Sequence, residues 1–140
     1  MQTIVFDYLR IFRFLVVCPQ YINLTDADRK YGPDTTGGPK CDDALHGWYR
    51  FHGDAGRKMM TTCPSANKCG GSSSAWLNGD HPTVAQGSVK KKVCIRKPVN
   101  LDAHCCDDFY FADVRNCGSY FIYKLLPTPF SCYFRYCGTD

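Results

Sequence analysis

Residues 41–63 read CDDALHGWYRFHGDAGRKMMTTC, and this stretch decides the kind of fold to expect. Two cysteines enclose a strand-like burst, Trp48-Tyr49-Arg50-Phe51, which is entered from Gly47 and left through the turn signal Gly53-Asp54-Ala55-Gly56. Working outward, residues 64–75 (PSANKCGGSSSA) read as a loop held by Cys69. Trp76-Leu77-Asn78-Gly79 then carries an aromatic anchor into an Asn-Gly turn. Residues 89–95 alternate in part, which places Val89, Lys91, Val93 and Ile95 on one side of a strand. Phe109-Tyr110-Phe111 and the runs 120–126 and 132–137 are rich in aromatic and β-branched residues, as strands are. Upstream, residues 34–39 (DTTGGP) mark a loop, and residues 42–46 fit one short helix. No segment sustains a 3.6-residue period over three turns, and there is neither a repeat nor an interior linker. The expectation is a small disulfide-rich, mainly β domain with long loops and at most a short helix.

The chain has 140 residues, a length that suggests one domain. Its ten cysteines are Cys18, Cys41, Cys63, Cys69, Cys94, Cys105, Cys106, Cys117, Cys132 and Cys137. An even, dispersed set reads as a disulfide framework in an oxidising compartment, so the protein is expected to be secreted. Zinc sites show close cysteine pairs or a cysteine pair followed by a histidine pair. Here no CxxC occurs, and His46, His52, His81 and His104 are not at ligand spacing, so neither a metal nor a cofactor is expected. Bonding Cys105 to its neighbour Cys106 strains the backbone between them, which favours two distant partners. Each bridge contributes ~2–4 kcal/mol. Several together match the ~5–15 kcal/mol net stability of a domain.

The net charge of +4 is mild and argues neither for nor against membranes or polyanions. Residues 11–17 (IFRFLVV) form a short apolar run, interrupted by Arg13 and preceded by Asp7 and Arg10. A signal peptide wants an unbroken apolar stretch and a small-residue cleavage point, and a membrane span wants more length. Residues 1–17 are therefore read as an uncertain start, truncated or else a degenerate signal peptide. Residues 18–140 are read as the domain, with no membrane span.

The residues then carry a family likeness. Cys41-Asp42, Gly47-Trp48-Tyr49-Arg50-Phe51, Gly53, Gly56, Met59 and Cys63 begin it. Cys69, Trp76-Leu77-Asn78-Gly79, His81-Pro82, Gly87, Val89, Lys92 and Cys94 continue it. Cys105-Cys106, Val114, Cys117, Tyr120, Tyr123, Leu125, Pro129, Cys132 and Tyr136-Cys137 complete it. This pattern resembles the cysteine-rich domain of uromodulin and of the pancreatic granule membrane glycoprotein 2, over residues 18–140. The resemblance implies a crossed pairing: Cys18–Cys117, Cys41–Cys132, Cys63–Cys105, Cys69–Cys137 and Cys94–Cys106. Spacing alone does not choose it, since eight cysteines already allow 105 pairings. Residues 96–102 look like a longer loop than the family usually has. In such proteins the domain sits beside EGF-like and zona-pellucida-type domains, and none of those is present in this sequence.

The resemblance also implies mannose-rich glycans that bacterial fimbrial lectins bind. Of the family's acceptor turns, one reads Asn78-Gly79-Asp80 here, and another reads Tyr123-Lys124-Leu125, so both attachment signals are absent. The remaining signal is Asn23-Leu24-Thr25, which makes Asn23 the expected glycosylation site, with a solubilising sugar preferred over lectin bait.

Other constellations have plainer readings. Lys90-Lys91-Lys92 with Arg96 and Lys97 suits polyanions, but a solvated or edge-protecting strand is the simpler account. Trp48, Tyr49, Phe51 and Trp76 suit a sugar platform, but packing is preferred. His81-Pro82 beside Asp80 is read as a turn that fixes the Trp76 loop. Ser72-Ser73-Ser74 lacks a nucleophile elbow. Asp42-Asp43 and Asp107-Asp108 are adjacent pairs that point apart on a strand, so neither flanks a scissile bond. Nothing assembles an acid, a base and an orienting group, so no enzyme is expected.

The leading expectation is a secreted, non-catalytic glycoprotein module for extracellular recognition or matrix and filament assembly. Its partner is an extracellular protein or glycan, with no nucleic acid. The alternatives are a structural spacer of a larger mosaic protein, and a soluble defence lectin for microbial sugars. No ligand-binding residues are assigned from sequence.

Overall fold

The computed structural model describes residues 18–32, 40–97, 104–127 and 134–140. Residues 1–17, the 34–39 loop, most of the long loop after Arg96 and Cys132 lie outside the described residues.

The strands are β1 (Ile22–Leu24), β2 (Gly47–Phe51), β3 (Lys58–Met59), β4 (Ser73–Asn78), β5 (Ser88–Arg96), β6 (Asp108–Asn116), β7 (Phe121–Leu125), β8 (Phe134–Tyr136) and β9 (Gly138–Thr139). Seven form one sheet in the order β1-β2-β7-β6-β5-β4-β8. The short strands β3 and β9 pair antiparallel as a second sheet. In the large sheet β1 runs parallel to β2 and β4 parallel to β8, while the remaining neighbours are antiparallel. The mainly β, disulfide-rich expectation therefore holds.

Period-two alternation explains how the sheet closes on its core. Directly paired residues share a face, so Tyr49, Tyr123, Val114 and Val89 point one way along the register of β2, β7, β6 and β5. That inner face carries the buried cluster of Tyr49, Phe51, Tyr123, Leu125, Val114, Ala112, Val93, Ala75, Leu77 and Tyr136. The edges of Phe51 and Tyr123 meet in a T-shaped contact, with centroids 5.5 Å apart. The small sheet is tied to the large one by backbone bonds. Met60 N–H donates to the Cys137 carbonyl at 2.9 Å, and Leu77 N–H donates to the Met60 carbonyl at 2.8 Å. Gly56 has φ +91° and lies so close to Thr139 that an added Cβ would sit 2.6 Å from its carbonyl oxygen. Only glycine fits that junction.

Three local expectations change. Residues 42–46 form a turn, not a helix, closed by Leu45 N–H on the Asp42 carbonyl, because the Asp42 side chain is committed elsewhere. The expected loop at 64–75 ends early: Ser73 to Ala75 belong to β4, where they gain two strand neighbours. The Asn78-Gly79 signal does not make a two-residue hairpin. A single 3-10 turn, Val84–Gln86, intervenes before β5, fixed by a reciprocal Thr83/Gln86 capping box.

Candidate functional site

The described cysteines form four bridges: Cys18–Cys117, Cys63–Cys105, Cys69–Cys137 and Cys94–Cys106. Their Cα separations of 4.7–6.0 Å lie within the usual disulfide range. Two of them fold the Cys105-Cys106 corner onto the outer face of the sheet. There the Trp76 indole N–H donates to the Cys105 carbonyl at 2.9 Å. The Arg96 guanidinium packs against the Cys63–Cys105 sulfurs at 3.3 and 3.1 Å. Trp76 is buried there, so it is a packing anchor.

The charged residues drawn into the interior are structural. Arg29 donates to both Asp42 carboxylate oxygens at 2.6 and 2.8 Å, and both residues are only 3% exposed. The same carboxylate accepts the Tyr136 N–H at 2.8 Å. Burial works against the Arg29 charge, but Asp42 holds its pKa above the ordinary value. Arg135 reaches Asp28 at 2.8 Å and Asp26 at 3.1 Å, and Lys40 meets Asp28 at 2.6 Å. Burial raises the Asp28 pKa, yet Lys40 and Arg135 overcome that and hold it below the usual carboxylate range. Asp42 is consumed by this network while Asp43 is exposed, so that adjacent pair shares no site.

Tyrosine hydroxyls complete the polar interior. Tyr123 accepts the Met59 N–H at 2.8 Å and lies 2.8 Å from His81 Nε2. With Met59 donating, the Tyr123 proton is left for the neutral His81 ring. Burial, then Lys58 and Lys91, lowers the His81 pKa to about 4. His81 therefore packs on Phe121 and Tyr123, with ring centroids 4.2 and 5.9 Å away, and does not serve the Trp76 loop. Tyr136 donates to the Leu126 carbonyl at 2.8 Å and meets the Tyr110 hydroxyl, and burial pushes the Tyr110 pKa up to about 12.

What remains exposed is the other part of the outer face. The register places Lys92 opposite Phe111, Lys90 opposite Asp113, Trp48 opposite Lys124 and Asn23 opposite Arg50. Phe109 and Phe111 are 51% and 56% exposed and meet edge to face at 6.0 Å. Lys92 Nζ lies 4.1 Å from the Phe109 ring centroid, and Arg115 lies 5.8 Å from Trp48. Arg50 stacks 4.2 Å from the Tyr120 ring and donates to the Tyr21 hydroxyl at 3.2 Å, which lowers the Tyr21 pKa. Beside Arg50 opens a polar cleft of about 500 Å³, lined in part by His52, Arg57, Ser119, Tyr120 and Asp140.

The lysine run is thus divided as a strand must divide it: Lys90 and Lys92 face outward and Lys91 inward. It does not protect an edge, because β5 lies between β6 and β4. Trp48 is half-buried on this outer face, whereas Tyr49 and Phe51 are core. Sequence reasoning missed Arg50, Phe109, Phe111, Arg115 and Lys124 as companions of the lysines. The Phe109/Phe111/Arg115 alternation was a readable signal; the arrival of Arg50 and Lys124 required the β2–β7 pairing. Asn23 is exposed on β1 and shares this face.

The model of the uromodulin-like cysteine-rich domain matches residues 49–138. The chain belongs to the uromodulin-like domain family. Among curated relatives, it is 39% identical over 124 residues to the pancreatic secretory granule membrane major glycoprotein GP2 of Mus musculus. It is 35% identical over 121 residues to uromodulin of Rattus norvegicus. Each match covers 86% of this chain but only 22% and 18% of the respective relative, so the chain spans about a fifth of their length. In this uromodulin-like domain the strands from β2 to β8 all fall within the matched residues, and so does the Cys105-Cys106 corner. No helix among the described residues is long and apolar enough to cross a membrane.

Proposed function

We propose that this uromodulin-like domain is a secreted, non-catalytic glycoprotein module for extracellular recognition, and that residues 18–140 form the whole recognition unit. The observation that supports this reading is the division of labour among its polar residues. Buried ionisable groups are engaged in holding strands together, while a cation- and aromatic-bearing sheet face stays open. A sheet face held by several bridges presents its side chains with little ordering left to do on binding, which favours affinity. The framework is taken to include a fifth bridge, Cys41–Cys132, and the chain is taken to carry a sugar on Asn23.

Three measurements on the protein secreted from a eukaryotic host test this. Non-reducing peptide mapping is expected to recover Cys41 linked to Cys132, and free thiols at both positions would contradict it. A glycosidase-sensitive mobility shift is expected for the wild type and not for Asn23→Gln. Binding of the labelled domain to arrays of extracellular glycans and proteins is expected to give discrete hits. A silent pair of arrays favours the spacer reading instead.

A further inference from the structure

We propose that the open part of the outer sheet face, built from Lys90, Lys92, Phe109, Arg115, Lys124 and Arg50, binds a sulfated polysaccharide chain. This rests on the recognition reading above and names the partner of that surface.

Cations arrive on this face from four neighbouring strands: Lys90 and Lys92 from β5, Arg115 from β6, Lys124 from β7 and Arg50 from β2. Adjacent strands lie about 4.8 Å apart, so the array spans roughly 15 Å, the reach of a few sugar rings. Asp113, paired with Lys90 at 3.1 Å, is the carboxylate that the same register places among them. Among the described residues, Lys92, Lys124, Arg115 and Arg50 form no salt bridge, although Asp residues elsewhere hold Arg29, Lys40 and Arg135. The covered Nε–H groups of Arg50 and Arg115 also lack an acceptor. A whole-chain charge of only +4 is therefore unevenly distributed, with an excess of positive charge on one face.

Charge alone fits any polyanion; the aromatic rings narrow the choice. Phe109, Phe111, Trp48 and Tyr120 alternate with the cations, and three of the rings already lie against one of them. Flat rings beside anion-binding groups suit a chain whose pyranose rings offer C–H faces and whose sulfates project from their edges. An acidic peptide offers carboxylates on flexible side chains and no such regular apolar face. The fixed sheet supplies the regular spacing that a repeating polymer requires.

The test is salt-gradient elution of the oxidised full chain from immobilised heparin, with a polyglutamate column in parallel. Wild type is expected to be retained on heparin above physiological salt and to pass through polyglutamate. Lys92→Gln/Lys124→Gln is expected to weaken heparin binding about three- to tenfold in Kd, from the ordinary worth of exposed ion pairs. Phe109→Ala/Phe111→Ala is expected to weaken it without altering the salt dependence. The charge-matched control Lys40→Gln/Lys58→Gln, on other parts of the fold, is expected to elute with wild type. Circular dichroism of each variant establishes that it is folded. Equal loss in the control, or equal retention on polyglutamate, overturns the proposal. No retention on heparin, with discrete hits on the protein and neutral-glycan arrays, overturns the proposal but leaves the recognition reading standing. Silence everywhere removes both.

Discussion

Strand β5 runs through two contrasting regions of the same sheet face. At its far end Cys94 and Arg96 are buried beneath the Cys105-Cys106 corner, and the bridge to Cys63 covers the indole of Trp76. At its near end Lys90 is exposed and Lys92 lies against Phe109. One backbone, with one alternation, serves a sealed half and an open half. The difference lies in the bridged loop, which supplies a second layer over one end only. Domains of this size close their sheets with a second layer on each face or leave a face to solvent. Here covalent bridges take the place of that layer where stability is needed and leave the rest available.

If the sealed half carries stability, damage there is costly. Reduction of the bridges removes about 2–4 kcal/mol for each. Their sum reaches the net stability of a domain, so near-ultraviolet circular dichroism is expected to collapse at 25 °C in reductant. Next in size is Asp42→Ala, which leaves the Arg29 guanidinium buried without its carboxylate. Removing one partner of a buried pair costs about 3–5 kcal/mol, read as a lower urea midpoint. Tyr123→Phe leaves the buried Met59 N–H without its acceptor, at about 1–3 kcal/mol by the same measurement.

The pH dependence is smaller and has a definite sign. His81 has a folded pKa of about 4, below its ordinary 6.5. Between those values the unfolded chain binds more protons than the folded one, so stability falls as pH falls through that window. The drop in melting temperature from pH 7 to pH 5 is expected to shrink in His81→Gln. Smallest of all is Phe111→Ala on the open half, expected to stay within about 0.5 kcal/mol of wild type. A loss comparable to that of Asp42→Ala would erase the contrast between the two halves.

Much of the fold was legible because its strands alternate or carry β-forming residues: β2, β5 and β7 fall close to where periodicity places them. The misplaced elements have local sequences that say one thing and long-range partners that say another. Ser73-Ser74 look like loop residues until β5 and β8 pair with them on both sides. Residues 42–46 have a helix-like composition, but Asp42 is held by Arg29 and the Tyr136 N–H, which fixes a turn. The pairing expected for the cysteines came with the family likeness; spacing did not supply it. The candidate site was legible only in fragments. Lys90 and Lys92 stand out as a run, while Arg50 and Lys124 become their neighbours through pairings between distant parts of the chain.

If recognition resides on the open half, lysine footprinting is its most direct test. The oxidised chain would be acetylated with and without saturating heparin, and each lysine quantified by mass spectrometry. Protection concentrated at Lys90, Lys92 and Lys124, with Lys30, Lys40 and Lys58 unchanged, is the predicted result. Uniform protection, or protection centred on Lys30, Lys40 and Lys58, would contradict it.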